Sequence, residues 1–487
     1  MRITVRNLGV LREEATIDLK PLTIFIGPNN SGKTWLAYAI AGILGPYGSG
    51  EYAKAYAEKT IPNIYEKLND AIELVLTKGN ATIDLRRFAD DYGETYFNNV
   101  ADYARTWMRR FLSTQLARFD DMSVSLNIAE SKTHFLNQIS RYSQRNSIAG
   151  SLLTIRKTRG EDKLYAYTST EVQDAEEPEE QIGERIPPEE VRERLVNFVS
   201  TALRRSLYPQ IRIFPTERTT LVAFRFGGRL ERPQINEKIM EALEMLAKEL
   251  DMRAIVEQSS AAREAIWPVS SFVSMLSTIF RKDTIEREER EKNAKSDSSI
   301  GKYIQLADVL EKQILAGNID FSTPEPDPRR EVLFQPTQGV SLEIPIASSM
   351  VKELSPLVLY LRHLAKPGEL LIIDEPEMNL HPEAQAKIIE FLAMLVNAGL
   401  NVLFTTHSPY ITDQLTNLIK ADESGDKDTI SNDFFLKRTD AFISREKVSV
   451  YGISEGTVRD ALDEDGFINL NTFGKVSEHI SDIYFKL

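Results

Sequence analysis

One stretch of this chain limits its fold more than any other: a short apolar strand that runs into a glycine-rich loop and then directly into a helix. The stretch is Pro21-Leu-Thr-Ile-Phe-Ile-Gly27-Pro-Asn29-Asn30-Ser31-Gly32-Lys33-Thr34, followed at once by Trp35-Leu-Ala-Tyr-Ala-Ile-Ala. Its spacing is that of the Gly-x-x-x-x-Gly-Lys-Thr phosphate loop, the Walker A pattern. Gly27 and Gly32 let the main chain wrap closely, and successive N–H groups then face a phosphate. Lys33 reaches the β- and γ-phosphates, and Thr34 offers its hydroxyl to magnesium. The helix that starts at Thr34 adds its positive end. The predicted nucleotide contacts are Gly27, Asn29, Asn30, Ser31, Gly32, Lys33, Thr34 and Trp35, with Lys33 also assisting catalysis.

A second apolar strand, Leu370-Leu-Ile-Ile-Asp374-Glu375-Pro376, ends in two carboxylates and fits a Walker B strand. Two acids with different tasks explain the pair: Asp374 holds magnesium with Thr34, and Glu375 orients and deprotonates the attacking water. Downstream, Leu400-Asn-Val-Leu-Phe-Thr405-Thr406-His407-Ser408-Pro409 places a histidine at a strand end, where it could accept a hydrogen bond or contact the γ-phosphate. Glu375, His407 and Lys33 are the predicted catalytic residues.

The chain has 487 residues, beyond the size of one core, so two or more domains are expected. It has no cysteine, which excludes disulfides, cysteine zinc sites and cysteine nucleophiles and is compatible with a cytoplasmic location. Met1-Arg-Ile-Thr-Val-Arg begins as a strand, no signal peptide is expected, and no apolar run approaches a membrane span. A net charge of −13 gives no overall footprint for nucleic acid. Arg105-Thr-Trp-Met-Arg-Arg110 and Arg204-Arg205 to Arg212 remain open as local nucleic-acid contacts or as helix surfaces and internal pairs.

Periodicity predicts strands over 2–5, 15–19 and 22–26, a helix to about Leu44, and an interruption at Gly45-Pro-Tyr-Gly-Ser-Gly50. Helices are expected over 61–76, 96–116, 189–207, 236–252, 255–266 and 303–316, with a charged helix or tip over 280–295 and a last helix over 471–484. Hairpins are expected over 152–170 and 331–345. The acidic run 174–180 reads as a solvated loop or a binding tail. Glu217-Arg218, just after the strand 210–214, reads as a functional loop near the nucleotide or as an internal ion pair. The expected fold class is α/β, an ABC-type P-loop head with a mixed sheet, flanking helices and a large, mostly helical insertion. The expected divisions are a first head lobe (1–50 and 205–235), an insertion (51–204), a helical arm or lid (236–316), a second head lobe (317–420) and a C-terminal α/β extension (421–487).

The order of Walker A, helical insertion, Ser348-Ser349-Met-Val-Lys352-Glu-Leu-Ser, Asp374-Glu375-Pro, Asn379-Leu-His381-Pro and Thr-Thr-His407-Ser-Pro resembles ABC-class ATPases related to SMC and Rad50. It most resembles the ATPase part of the OLD (overcoming lysogenisation defect) nucleases, over roughly 1–45 and 205–415. The resemblance implies ATP and Mg2+ as ligands and a head-to-tail dimer. Ser348, Ser349 and Lys352 would contact the γ-phosphate held by a second subunit, Asn379 and His381 would form a D-loop, and His407 would be the switch histidine. Two departures stand out. The signature lacks the Leu-Ser-Gly-Gly-Gln form and no Q-loop glutamine is assigned. The roughly 80 residues after His407 read as too short for a Toprim nuclease domain. The chain then resembles ATPase subunits of anti-phage systems such as PARIS and Septu, with a separate effector protein as partner and DNA or a phage protein as trigger. A Rad50-like DNA-repair ATPase and a nucleotide-gated scaffold are the alternatives.

Overall fold

The computed structural model describes residues 1–146, 153–168, 186–225, 266–282, 284–323, 331–463, 465–468 and 483. The helices expected over 236–252, 255–266 and 471–484 and the acidic run 174–180 lie wholly or almost wholly outside the described residues.

Strands β1 (Arg2–Arg6), β2 (Ala15–Asp18) and β3 (Leu22–Ile26) precede helix α1 (Lys33–Leu44). Then come α2 (Pro46–Ala57), α3 (Glu66–Lys78), β4 (Asn80–Asp84), α4 (Leu85–Phe111), β5 (Ser123–Asn127), α5 (Lys132–Arg141), β6 (Gln144–Asn146), β7 (Leu153–Lys157), β8 (Lys163–Thr168) and α6 (Pro188–Leu207). The next group is β9 (Ile211–Phe214), α7 (Arg218–Arg225), α8 (Trp267–Arg281), α9 (Thr284–Ser296), α10 (Ser298–Val309), β10 (Gly317–Phe321), β11 (Val332–Pro336) and β12 (Leu342–Glu343). The last group is α11 (Ser349–His363), β13 (Leu370–Asp374), α12 (Pro382–Asn397), β14 (Asn401–Thr406), α13 (Pro409–Asp422), β15 (Val448–Ser454) and β16 (Thr457–Asp460). Among the described residues, no helix is long and apolar enough to cross a membrane.

Two compact units emerge. The first comprises Met1–Leu19, Ala39–Met108 and Arg118–Ile211, and the second Lys20–Tyr38, Arg109–Ala117 and Arg212–Leu487. The first unit holds two antiparallel sheets, β2-β1-β5 and β4-β8-β7-β6. Alternation in β1 buries Ile3 and Val5, and register sets Ile3 beside Ile17 and Leu126, so one face is apolar. The hairpin β7-β8 forms within the span expected for it.

Two expectations need correction. The interruption expected over 45–50 is confined to Gly45: α1 ends at Leu44, Gly45 is extended, and α2 starts at Pro46, whose fixed φ suits a first helical turn. Gly48 sits inside that helix because a Cβ there would meet the Gly42 carbonyl oxygen at 2.6 Å and the Trp107 ring at 2.8 Å. The helix expected over 96–116 instead runs from Leu85 to Phe111, its first turn fastened where the Asp84 side chain accepts from the Arg87 N–H at 2.8 Å. Of the basic residues, Arg105 pairs with Asp102, Arg109 donates to the carbonyls of Thr114 and Gln115, and Arg204 is buried. These placements fit the alternative of helix surfaces and internal pairs.

The second unit is built on a six-stranded sheet, β16-β15-β3-β14-β13-β9. Strands β15, β3, β14 and β13 run parallel, while β16 runs antiparallel to β15, so the sheet is mixed. All five residues of β3 and of β13 are buried, as continuous apolar runs demand when both faces of a parallel sheet are covered. Leu357, Val358, Tyr360 and Leu361 of α11 and Ile388, Phe391 and Leu392 of α12 join Ile24, Leu371 and Phe404 of the sheet in one core. A smaller antiparallel sheet, β10-β11-β12, belongs to the same unit. This is a mixed α/β fold with flanking helices, in line with the expected fold class.

Candidate functional site

The site lies at the C-terminal ends of β3, β14 and β13, where ligands of open α/β sheets bind. Register makes this concrete. Thr406 of β14 is level with Ile26 of β3, and Thr405 is level with Asp374 of β13. The ends of three strands far apart in sequence therefore meet at one height.

After Ile26 the chain turns through the phosphate loop. Gly27 is confined by β15, since a Cβ there would stand 2.1 Å from the Ile453 carbonyl oxygen. Asn30 (φ +62°) and Gly32 (φ +102°) take left-handed conformations that curl the loop. Pro28, Asn29 and Asn30 are exposed, Ser31 and Gly32 are buried, and Thr34 and Trp35 are half-buried. Lys33 is buried, and its Nζ donates to the carbonyls of Gly27 and Pro28, each at 2.9 Å. Burial lowers its pKa, and the carboxylates of Glu375, Asp374 and Glu377 oppose that shift.

Asp374 is 0% exposed and collects hydroxyl donors. Thr34 Oγ1 lies 3.0 Å from both carboxylate oxygens, Thr405 donates to Oδ1, and the Tyr38 hydroxyl lies 3.4 Å from Oδ2. Burial raises the Asp374 pKa, while the hydrogen bonds from Thr405 and Thr34 pull it back. A threonine hydroxyl and a carboxylate are hard oxygen donors of the kind magnesium takes, usually with water and phosphate oxygens completing its shell. Among the described residues, no group of three or more His, Cys, Asp or Glu is placed to hold a metal. The Thr34–Asp374 pair thus fits a cation shared with a phosphate and does not form an all-protein cage.

Glu375 follows in a left-handed conformation (φ +50°), with its N–H donating to the Thr405 carbonyl at 3.2 Å and hydroxyl at 3.0 Å. Its Oε1 lies 3.3 Å from Nδ1 of His407. That contact holds Glu375 below the usual carboxylate range and His407 above the usual histidine value. His407 is held in turn by Glu377, whose Oε1 accepts from its N–H at 2.9 Å and from Thr406 Oγ1 at 2.6 Å. Lys33, Thr34, Asp374, Glu375 and His407 are therefore brought together.

The remaining sites lie elsewhere on the unit. Ser348 and Ser349 are exposed at the start of α11, where Ser348 Oγ caps the helix by accepting from the Val351 N–H at 3.3 Å. Among the described residues, neither serine nor Lys352 makes a side-chain hydrogen bond to the phosphate loop. Asn379 is exposed at φ +62°, and its amide bonds to Glu353. His381 is exposed at the start of α12. Of the pair 217–218, Glu217 is exposed and Arg218 is buried against Glu353, so for Arg218 the internal ion pair is the arrangement found.

Sequence reasoning missed Tyr38, Thr405, Glu353 and Glu377. Tyr38 had a local signal, because it stands one helical turn beyond Thr34 on the same face of α1. Thr405 was also accessible once β13 and β14 were aligned as parallel neighbours. Glu353 and Glu377 had no signal short of the folded contacts.

The fold and the site together define a P-loop ATPase head. The chain belongs to the AAA ATPase domain family, whose model matches residues 1–412. It is 35% identical over 101 residues to Nod factor export ATP-binding protein I of Cupriavidus metallidurans, a stretch amounting to 21% of this chain and 33% of that protein. The chain thus spans about a third of the length of this curated relative. Similar solved structures include the Smc head domain of Pyrococcus furiosus bound to the C-terminal domain of ScpA, at 14% identity and a TM-score of 0.34, covering 99% of this chain and 98% of that one. The SMC head domain of Thermotoga maritima aligns at 9% identity and a TM-score of 0.28, covering 94% and 97%.

Proposed function

We propose that this chain binds ATP with Mg2+ at the phosphate loop and hydrolyses it to ADP and phosphate. The observation that carries this reading is the meeting of Lys33, Thr34, Asp374, Glu375 and His407 at one end of one sheet. Lys33 and the loop N–H groups of Asn29 to Thr34 bind the phosphates, and Thr34 and Asp374 hold the cation. Magnesium, when bound, neutralises charge on the phosphate oxygens. Glu375 accepts the proton of the attacking water, and His407 orients Glu375 through their hydrogen bond. Equilibrium binding of a fluorescent ATP analogue tests the first half of the proposal. Wild type should bind in a magnesium-dependent manner and Lys33→Ala should bind at least tenfold more weakly; equal binding by both would remove the phosphate loop from the account.

The finer proposal is regulatory. ATP joins two copies head to tail, with Ser348, Ser349, Lys352 and Asn379 of one facing the nucleotide of the other, and this association controls a separate effector in anti-phage defence. The resemblance of its motifs to OLD-type ATPases supports this reading, as does the exposure of both serines at a helix N-terminus. Light scattering with ATP and Glu375→Gln tests the association, and co-purification with the products of neighbouring genes tests the effector. A monomer at saturating ATP would contradict the dimer; DNA-stimulated hydrolysis without any bound neighbour would favour a DNA-remodelling ATPase instead.

A further inference from the structure

Arg218 is 2% exposed, and its guanidinium is spent almost entirely on main chain. Nη1 donates to the carbonyls of Pro215 at 2.8 Å and Asp374 at 2.6 Å, and Nη2 donates to the carbonyl of Glu375 at 2.7 Å. The same Nη2 pairs with Glu353, which is 1% exposed and sits in the second turn of α11. Glu353 also accepts from Thr219 and is bonded by Asn379. One buried ion pair thus touches the loop after β9, the two carboxylate-bearing residues at the end of β13, and the helix that begins at Ser349.

We propose that Arg218 and Glu353 are positioning residues: together they fix the main chain that carries Asp374 and Glu375 and tie it to α11, so that the rate of hydrolysis depends on how that helix is seated. The inference rests on the ATPase reading above. Its physical basis is the conformation of Glu375. A left-handed non-glycine residue persists only where its surroundings over-determine it. Here the N–H of Glu375 is held by Thr405 on one side and its carbonyl by Arg218 on the other. The planar fork of arginine can hold two consecutive carbonyls and a carboxylate at once, whereas a lysine ammonium offers a point charge without that geometry. A buried arginine also needs its counter-ion, which places Glu353, and with it α11, in the same assembly.

The test uses the full chain with Arg218→Lys, Glu353→Gln and the double substitution. It reads kcat and KM for ATP, affinity for a fluorescent ATP analogue, and thermal unfolding. The expected result is a kcat at least tenfold lower in each single variant, with nucleotide affinity within about twofold of wild type. The double variant should fall no further than the worse single one, because the pair acts as a unit. A merely structural pair would lower the melting temperature and the fraction of nucleotide-binding protein but leave kcat per bound nucleotide unchanged, and that result would overturn the proposal. Thr219→Val removes only one hydroxyl donor to Glu353 and guards against loss of folding. It should lower kcat severalfold at constant affinity, and a wild-type kcat in it would also overturn the proposal. The two readings separate cleanly. If Glu375→Gln abolishes hydrolysis while the Arg218 and Glu353 variants turn over normally, only the positioning role fails; if wild type does not hydrolyse ATP, both fail.

Discussion

Oε1 of Glu375 lies 3.3 Å from Nδ1 of His407, although the two residues follow different strands of the sheet, β13 and β14. Neither residue is free to orient itself. Glu375 is held by Thr405 and Arg218 through its main chain, and the N–H of His407 is held by the buried carboxylate of Glu377. The contact therefore couples the carboxylate expected to activate water with the residue expected to sense phosphate.

This contact has a pH signature. The hydrogen bond raises the His407 pKa above its ordinary 6.5, so its contribution to stability is fully present below about 6.5 and is lost as pH rises through the raised folded value. His407→Gln should therefore flatten the decline in melting temperature as pH rises from 6.5 towards 8. Scanning fluorimetry across that range checks it. Since His407 is 45% exposed, the effect is small, and an unchanged slope would show that the contact does not form in solution.

Glu377 offers a test of buried hydrogen bonding. Glu377→Gln keeps an oxygen acceptor for Thr406 and for the His407 N–H, whereas Glu377→Ala leaves both donors unsatisfied. The alanine variant should lose about 2 kcal/mol in urea unfolding, and the glutamine variant much less. Equal losses would place the role of Glu377 outside these two hydrogen bonds.

The phosphate loop tolerates no side chain at Gly27. With the Ile453 carbonyl oxygen only 2.1 Å from where a Cβ would stand, Gly27→Ala must push β3 and β15 apart. A loss of about 1–3 kcal/mol is expected in urea unfolding, together with weakened nucleotide binding. Wild-type stability would show that the two strands part easily.

The Arg290 guanidinium ties helix α9 to α11. Arg290 donates to the carbonyls of Arg362 at 2.8 Å and Ala365 at 2.9 Å, at the C-terminal end of α11, where carbonyls lack helical partners. Arg290→Ala should cost about 1–3 kcal/mol in chemical denaturation. No change would mean that water serves those carbonyls equally well.

The parts of this site that read clearly from sequence are those carried by local pattern. An apolar strand before a glycine loop, an apolar strand before two acids, and an apolar strand before a histidine each announce themselves within about a dozen residues. Their meeting was less legible, since β3 pairs with β14 and β15, which are hundreds of residues away in the chain. Arg218 and Glu353 show the limit best. Each has a single charged neighbour in sequence, Glu217 beside Arg218 and Lys352 beside Glu353, and only the fold shows that both are buried and face each other. The Gly45–Gly50 segment was legible in part. The helix does stop at Leu44, but the chain becomes helical again at Pro46, where Gly48 admits the neighbouring Trp107 ring and packing overrides propensity.

The most direct test of the central claim is phosphate release measured alongside nucleotide binding in wild type, Asp374→Ala and Glu375→Gln, with and without a magnesium chelator. The account predicts magnesium-dependent turnover in wild type. It predicts that Glu375→Gln binds ATP as tightly as wild type but turns over about 10²-fold more slowly or worse, and that Asp374→Ala loses its magnesium dependence together with activity. Turnover by Glu375→Gln at the wild-type rate, with ATP bound, would contradict it.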